Sequence, residues 1–454
     1  MLWIRGEPPV LLFAAAMQWV QATTAVFYAD IKGTPLSVEW DIGGAAFVEA
    51  TWLSLLGVLV LGIGMRLALV HREGVTVERT GHETGALQAS RIFMLYLGAF
   101  AFFSLLGRIA HAFPRLTQPL LATMTLKWVL IFLLAYCVLI QKRGYVFLAA
   151  TVCLELFVGV LGYFGGFKSI LFILLVALPS APHFFKGQRL LQFGLVALVM
   201  AGFGVLWTAI KSDYRDFLNQ GTGQQVVLVP VADRAAKLAA LASQLSPTRM
   251  REAWDDTLLR ASYVKYFALT LESVPANIPH EGGRLWLGAL QHVFMPRLFF
   301  PDKPAISDSE RTSYYTGIRV AGVEEGTSIS IGYIGESYID FGRVGMYAPI
   351  LLLGIFYGLI YRFFVDSQKV KVLGFAMAVA ILTFGAYTIE TSNIKLIGRN
   401  TMSLLVMGTF AAFVGNALWS WITTQKPILH RRSKRQSRAT ITDKSDGSTG
   451  YRTS

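Results

Sequence analysis

The sequence predicts an all-α polytopic membrane protein of about ten transmembrane helices, with one large extracytoplasmic loop between the seventh and the eighth. Three observations carry that expectation. The 454-residue chain is 54% hydrophobic and 15% charged, with a mean hydropathy of +0.50, whereas soluble domains sit near 45–50% apolar and about 25% charged. Its apolar residues come in blocks of about twenty, the length that crosses hydrocarbon. Lysine and arginine fall unevenly between alternate connections, as a membrane topology requires.

The apolar runs place spans near residues 10–28, 45–70, 92–113, 119–140, 145–164, 169–185 and 190–210, then 346–364, 372–389 and 402–422. The first run is long and has no small-residue cleavage site before Asp30, so it reads as a span and not as a cleaved leader. With the N-terminus inside, the cytoplasmic connections carry Arg72, Arg79, Arg91, Lys142, Arg143 and Arg189, among others. Short segments opposite carry only Lys32, Arg115, Lys168, Lys395 and Arg399. Both termini are therefore expected on the cytoplasmic side. The organisation is an N-terminal bundle (1–210), an extracytoplasmic loop domain (211–345), C-terminal helices (346–424) and a basic tail (425–454) expected to be disordered.

Several function classes are excluded. Much of the +13 net charge lies between His430 and Arg438, just past a span, where it is a topology signal and an anionic-lipid contact, not a nucleic-acid surface. Cys137 and Cys153 lie inside apolar runs and imply no disulfide framework. No phosphate-binding loop, dinucleotide fingerprint or nucleophile elbow occurs. His280 and His292 lack metal-ligand spacing, so neither metal nor cofactor is expected. No matched pair of broken helices marks an inverted-repeat transporter.

The loop domain holds the chemistry. Helical spacing is expected over 232–245 and 250–271, and 285–295 forms an apolar run too short to span. Arginines at a membrane surface suit a diphosphate, because the guanidinium fork binds phosphate oxygens bidentately. Glu336 and Asp340 lie four apart at the mouth of a span and would share a helical face, one of them a candidate general base raised by burial. Interface anchoring and helix capping are the competing roles. Glu49 and Glu155 are ionisable residues inside spans, and Glu390 and Lys395 read as a pair.

Three stretches carry a family resemblance. Gly165-Gly166-Phe167-Lys168-Ser169 opens a span with a small-residue turn and a cation. Pro296-Arg297-Leu298-Phe299-Phe300-Pro301-Asp302-Lys303-Pro304 is similar to a Pro-Arg-x-x-x-Pro-x-Lys-Pro pattern. Gly335-Glu336-Ser337-Tyr338-Ile339-Asp340-Phe341-Gly342 is similar to Gly-Glu-x-Tyr-x-Asn/Asp-Phe-Gly. With the architecture, they resemble the bacterial O-antigen and exopolysaccharide polymerases. The resemblance implies a metal-independent glycosyltransferase that joins undecaprenyl-diphosphate-linked repeat units on the outer face of the inner membrane. It implies Glu336 as base with Asp340 beside it, and Arg297 and Arg311 as diphosphate ligands. Arg260, Lys168 and Lys303 stand behind them. A flippase and a chain-length regulator are the implied partners. An O-antigen ligase with a histidine base, His280 or His292, and a transporter of lipid-linked glycans remain the alternatives.

Overall fold

The computed structural model describes residues 2–4, 6–36, 44–113, 116–181, 184–185, 187–223, 225–295, 300, 306–322, 327–387 and 391–423. Among them there are helices and connections and no strand. In chain order the helices are α1 (Val10–Lys32), α2 (Gly44–Ala68), α3 (Val77–Gly85), α4 (Ala89–Ala112), α5 (Thr117–Thr123), α6 (Leu126–Gln141), α7 (Tyr145–Val160), α8 (Lys168–Ser180) and α9 (Gln188–Leu218). The loop domain adds α10 (Val231–Ser243), α11 (Pro247–Ala261), α12 (Val264–Ser273), α13 (Arg284–Phe294), α14 (Asp308–Thr316) and α15 (Gly332–Gly345). The chain then runs through α16 (Tyr347–Ser367), α17 (Lys371–Tyr387), α18 (Asn393–Phe413) and α19 (Gly415–Ile422).

Seven helical stretches among the described residues are long and apolar enough to cross a membrane: α1, α2, α4, α5 with α6, α9, α16 and α18. Three shorter apolar helices, α7, α8 and α17, coincide with the other expected spans. Helices α6, α8 and α17 are buried nearly all round, as the unbroken apolar faces of Trp128–Leu139 and Val372–Leu382 require. They form the centre of the bundle.

The closest crossing is α2 on α16. A Cβ on Gly354 would collide with the carbonyl oxygen of Leu61, and one on Gly64 with that of Leu351. Gly354 and Gly358, four residues apart, open the groove that lets the two backbones approach, the small-residue device of membrane helix pairs.

At the end of the bundle away from the loop domain, Arg72 grips Glu7 bidentately at 2.8 and 3.0 Å and reaches Asp366 at 3.0 Å. Glu7 also accepts from the Tyr361 hydroxyl (2.8 Å) and the Val75 amide (2.7 Å). The Arg72 and Glu7 side chains are 3% and 2% exposed. Removing one partner of such a pair strands the other, so Arg72→Ala should destabilise the protein by about 3–5 kcal/mol. Thermal unfolding in detergent measures this, and an unshifted midpoint would show the pair to be idle.

Three elements differ from expectation. The segment 250–271 is two helices, because Ser262 leaves helical dihedrals between α11 and α12. The last long helix begins at Asn393, nine residues before its expected start, and ends at Phe413, with α19 a separate short helix. Its first turns look polar in sequence because Asn393, Asn400 and Ser403 turn into the bundle. Helix α9 is 31 residues long, about 46 Å at 1.5 Å per residue. It outreaches a hydrocarbon layer of about 30 Å and carries Lys211–Leu218 into the loop domain as continuous helix.

Candidate functional site

Helix α15 is buried nearly all round from Gly332 to Asp340, since the six consecutive residues Gly335–Asp340 are all buried. Its backbone breaks at Gly342 (φ 69°, ψ −171°), which separates it from α16 and lets it lie within the loop domain. Glu336 is 1% exposed. Its Oε1 accepts from Arg311 Nη1 at 3.1 Å, and its Oε2 from the Asn393 amide at 2.8 Å, at the N-terminal end of α18. That amide belongs to the positive end of a helix dipole. Burial pushes the Glu336 carboxyl up to about 7, while the Arg311 guanidinium and the Asn393 N–H pull it down. A carboxyl so placed can exchange a proton near neutrality.

A second ion pair lies beside the first. Asp308, 3% exposed, accepts from Lys395 Nζ at 2.8 Å, and the same ammonium donates to Ser328 Oγ at 3.0 Å. Asp308 and Arg311 sit one turn apart on α14, whose first turn is capped by Ser307 accepting from the Glu310 amide. The expected partner of Lys395, Glu390, lies outside the described residues, and Asp308 fills that role. Around these pairs, Ser392 Oγ, both amide atoms of Asn393 and Asp308 Oδ1 are buried without a hydrogen-bond partner among the described residues. Such a concentration of unsatisfied atoms is unusual in a folded interior and leaves capacity for water or ligand.

Asp340 shares a face of α15 with Glu336, as the four-residue spacing predicts, yet it is held differently. Its two oxygens accept from the amides of Leu285 (3.0 Å) and Trp286 (2.8 Å), which caps α13. Burial raises the Asp340 carboxyl and those amides lower it. Trp286 Nε1 donates to Ser337 Oγ at 3.0 Å, fastening α13 to α15. His280 lies edge-on to Tyr338, with Nδ1 3.2 Å from the Ile339 carbonyl oxygen. Glu49 pairs with Arg343 at the mouth of α2. Glu155 accepts from Lys127 (2.9 Å) and Tyr96 (2.9 Å) between α4, α6 and α7.

A cavity of about 920 Å³ opens beside this cluster, between the projecting end of α9, the helices α11 and α12, and the segment 327–329. It is lined by Lys211, Arg215, Arg260 and Lys265, by Asp216 and Asp256, and by three tyrosines. Arg215 is fixed by a bond from Nε to the Tyr163 carbonyl (3.1 Å), with its guanidinium 5.0 Å from that ring's centroid. The wall 327–329 joins cavity to cluster. The Ile329 amide donates to Ser309 (2.9 Å), Thr312 donates to the Ile329 carbonyl (2.9 Å), and Ser328 receives Lys395.

The sequence-derived cations separate in space. Arg311 holds Glu336, and Arg260 lines the cavity. Lys168 is exposed at the start of α8, after a turn pinned by Tyr214 and Arg234 to the Leu161 carbonyl. Arg297 and Lys303 lie outside the described residues. Asp308, Asn393, Lys211 and Lys265 escaped the sequence reading. The capping pattern Ser307-x-x-Glu310 is the one signal that could have located Asp308, since it fixes where α14 starts.

The fold and site together define a protein that is helical over its described residues, with helices long and apolar enough to cross a membrane and a buried, ion-paired carboxylate at Glu336. The chain belongs to the family described as Domain of unknown function (DUF8712), whose model matches residues 60–425. No curated protein and no solved structure matches it.

Proposed function

We propose that this protein polymerises undecaprenyl-diphosphate-linked oligosaccharide repeat units by glycosyl transfer on the outer face of the bacterial inner membrane. The observation that carries the reading is Glu336: a carboxyl buried at the mouth of a membrane helix, poised near neutrality, with a guanidinium against it. In the proposed reaction Glu336 takes the proton of an acceptor hydroxyl on one lipid-linked unit. That oxygen attacks the anomeric carbon of the second glycan as the bond from this carbon to the diphosphate oxygen breaks. The electron pair leaves on undecaprenyl diphosphate, and the proton stays on Glu336 until water removes it.

Arg311 is the more exposed partner of the pair, 22% against 1%, so an arriving diphosphate meets its guanidinium first. Binding there sets the donor's diphosphate beside the carboxylate that activates the acceptor. Asp340 supports the site by holding α13 on α15.

Glycan size in a strain lacking the gene tests the reading. Surface glycan reduced to a single repeat unit, with full-length chains restored by the intact gene, is the expected result. Complete loss of surface glycan would instead indicate a ligase or a flippase.

A further inference from the structure

Several cations in or against the loop domain are held in ion pairs. Arg249 pairs with Asp213, Lys32 with Asp255, Arg284 with Glu281, Arg311 with Glu336 and Lys395 with Asp308. The 920 Å³ cavity gathers cations that are not. Among the described residues, Lys211, Arg215 and Arg260 form no ion pair, although Asp216 and Asp256 line the same space. These three cations outnumber the two carboxylates, an excess positive charge set in a concave wall that focuses its field. The cations alternate with Tyr163, Tyr263 and Tyr266, whose rings offer a flat apolar face with a hydroxyl at one end.

From this composition we infer that the cavity binds a carboxylate-bearing sugar, so that the repeat unit handled by this protein contains a uronic acid or an equivalent acidic residue. The inference rests on the glycan-polymerase reading for the identity of the substrate. The chemistry of the walls selects it. Tyrosine faces stack on the apolar faces of pyranose rings, and Asp216 and Asp256 accept hydrogen bonds from sugar hydroxyls. Arginines take the carboxylate bidentately. A bare diphosphate offers no ring for the tyrosine faces to stack on. A neutral sugar would leave that excess positive charge uncompensated. The volume lies in the upper range for small-molecule sites and holds more than one sugar ring.

Full-length protein in phosphatidylcholine nanodiscs, titrated with tetragalacturonate, maltotetraose and inorganic pyrophosphate, tests the assignment. Tetragalacturonate should bind at least about tenfold more tightly than maltotetraose and should weaken as salt is raised. Arg260→Gln and Lys211→Gln should each weaken it about tenfold or more, as expected when a charge-assisted hydrogen bond is lost. Arg260→Lys should recover part of the loss, which a variant failing through misfolding would not. Equal binding of the neutral oligosaccharide, or binding of neither, overturns the inference. So does tight pyrophosphate binding that Arg260→Gln abolishes while tetragalacturonate does not compete, since the cavity would then hold the carrier's diphosphate. Loss of polymer on Glu336→Gln without uronate binding would leave the polymerase reading standing and this one refuted. Uronate binding with an active Glu336→Gln enzyme would do the reverse to the base assignment.

Discussion

Glu336→Gln is expected to give a folded, membrane-inserted protein that makes polymer about a hundredfold to ten-thousandfold more slowly than the parent, the range lost when general-base catalysis is removed. The amide has nearly the shape of the carboxylate but cannot take a proton. Its oxygen can still satisfy one of the two donors that Glu336 accepts from, Arg311 Nη1 or the Asn393 amide. The other donor meets an NH2 group, so a modest loss of stability accompanies the loss of rate, and membrane protein level has to be measured beside polymer yield. Glu336→Asp separates the two effects. It keeps a proton acceptor, set back by one methylene, and should recover part of the activity while packing no better than the glutamine. An active Glu336→Gln protein would end the base assignment. Equal failure of both variants at normal protein level would mean that position, and not proton transfer, is what the site requires.

The parts of the fold that sequence revealed are those where one face of the chain carries one kind of chemistry. Helices α6 and α17 are apolar all round because they are buried all round, and their runs are unmistakable. The start of α18 was hidden because Asn393, Asn400 and Ser403 point into the bundle, so inward-facing polarity there looks like a loop. The extension of α9 beyond the length of a span was hidden for a related reason: Lys211, Asp213 and Arg215 look like the end of a span, though the helix continues to Leu218. Glu336 was visible because glycines and serine surround it. Its partners Arg311 and Asn393, and the neighbouring Asp308–Lys395 pair, come from segments far apart in the chain. No local spacing encodes that convergence. The cavity is likewise a product of four separate elements, legible in sequence only as scattered cations and tyrosines.

Arg311→Met should move the pH dependence of polymerisation to the alkaline side. In the parent, burial raises the Glu336 carboxyl to about 7 against the lowering pull of Arg311 and the Asn393 amide. Glu336 acts as a base only when ionised, so the rate should climb with pH through that value. Taking away the guanidinium removes one of the two lowering influences and leaves burial less opposed, so the carboxyl rises further and less of it is ionised at pH 7. Each unit of rise costs about tenfold in the ionised fraction. Higher pH should therefore restore much of the activity lost at neutrality, apart from whatever Arg311 contributes by holding the diphosphate. Stability should follow the same group. Between the ordinary glutamate value of about 4.3 and the raised value, the folded protein holds a proton that the unfolded chain has released. The folded state then binds more protons, and stability falls as pH rises through this window. In Arg311→Met the window extends upward, so the variant should lose melting temperature between neutral and alkaline pH more steeply than the parent. Glu336→Gln/Arg311→Met has no carboxyl to ionise at this position and should lose that part of the slope. Rate profiles of parent and Arg311→Met that superimpose after scaling would show that Arg311 does not act on Glu336.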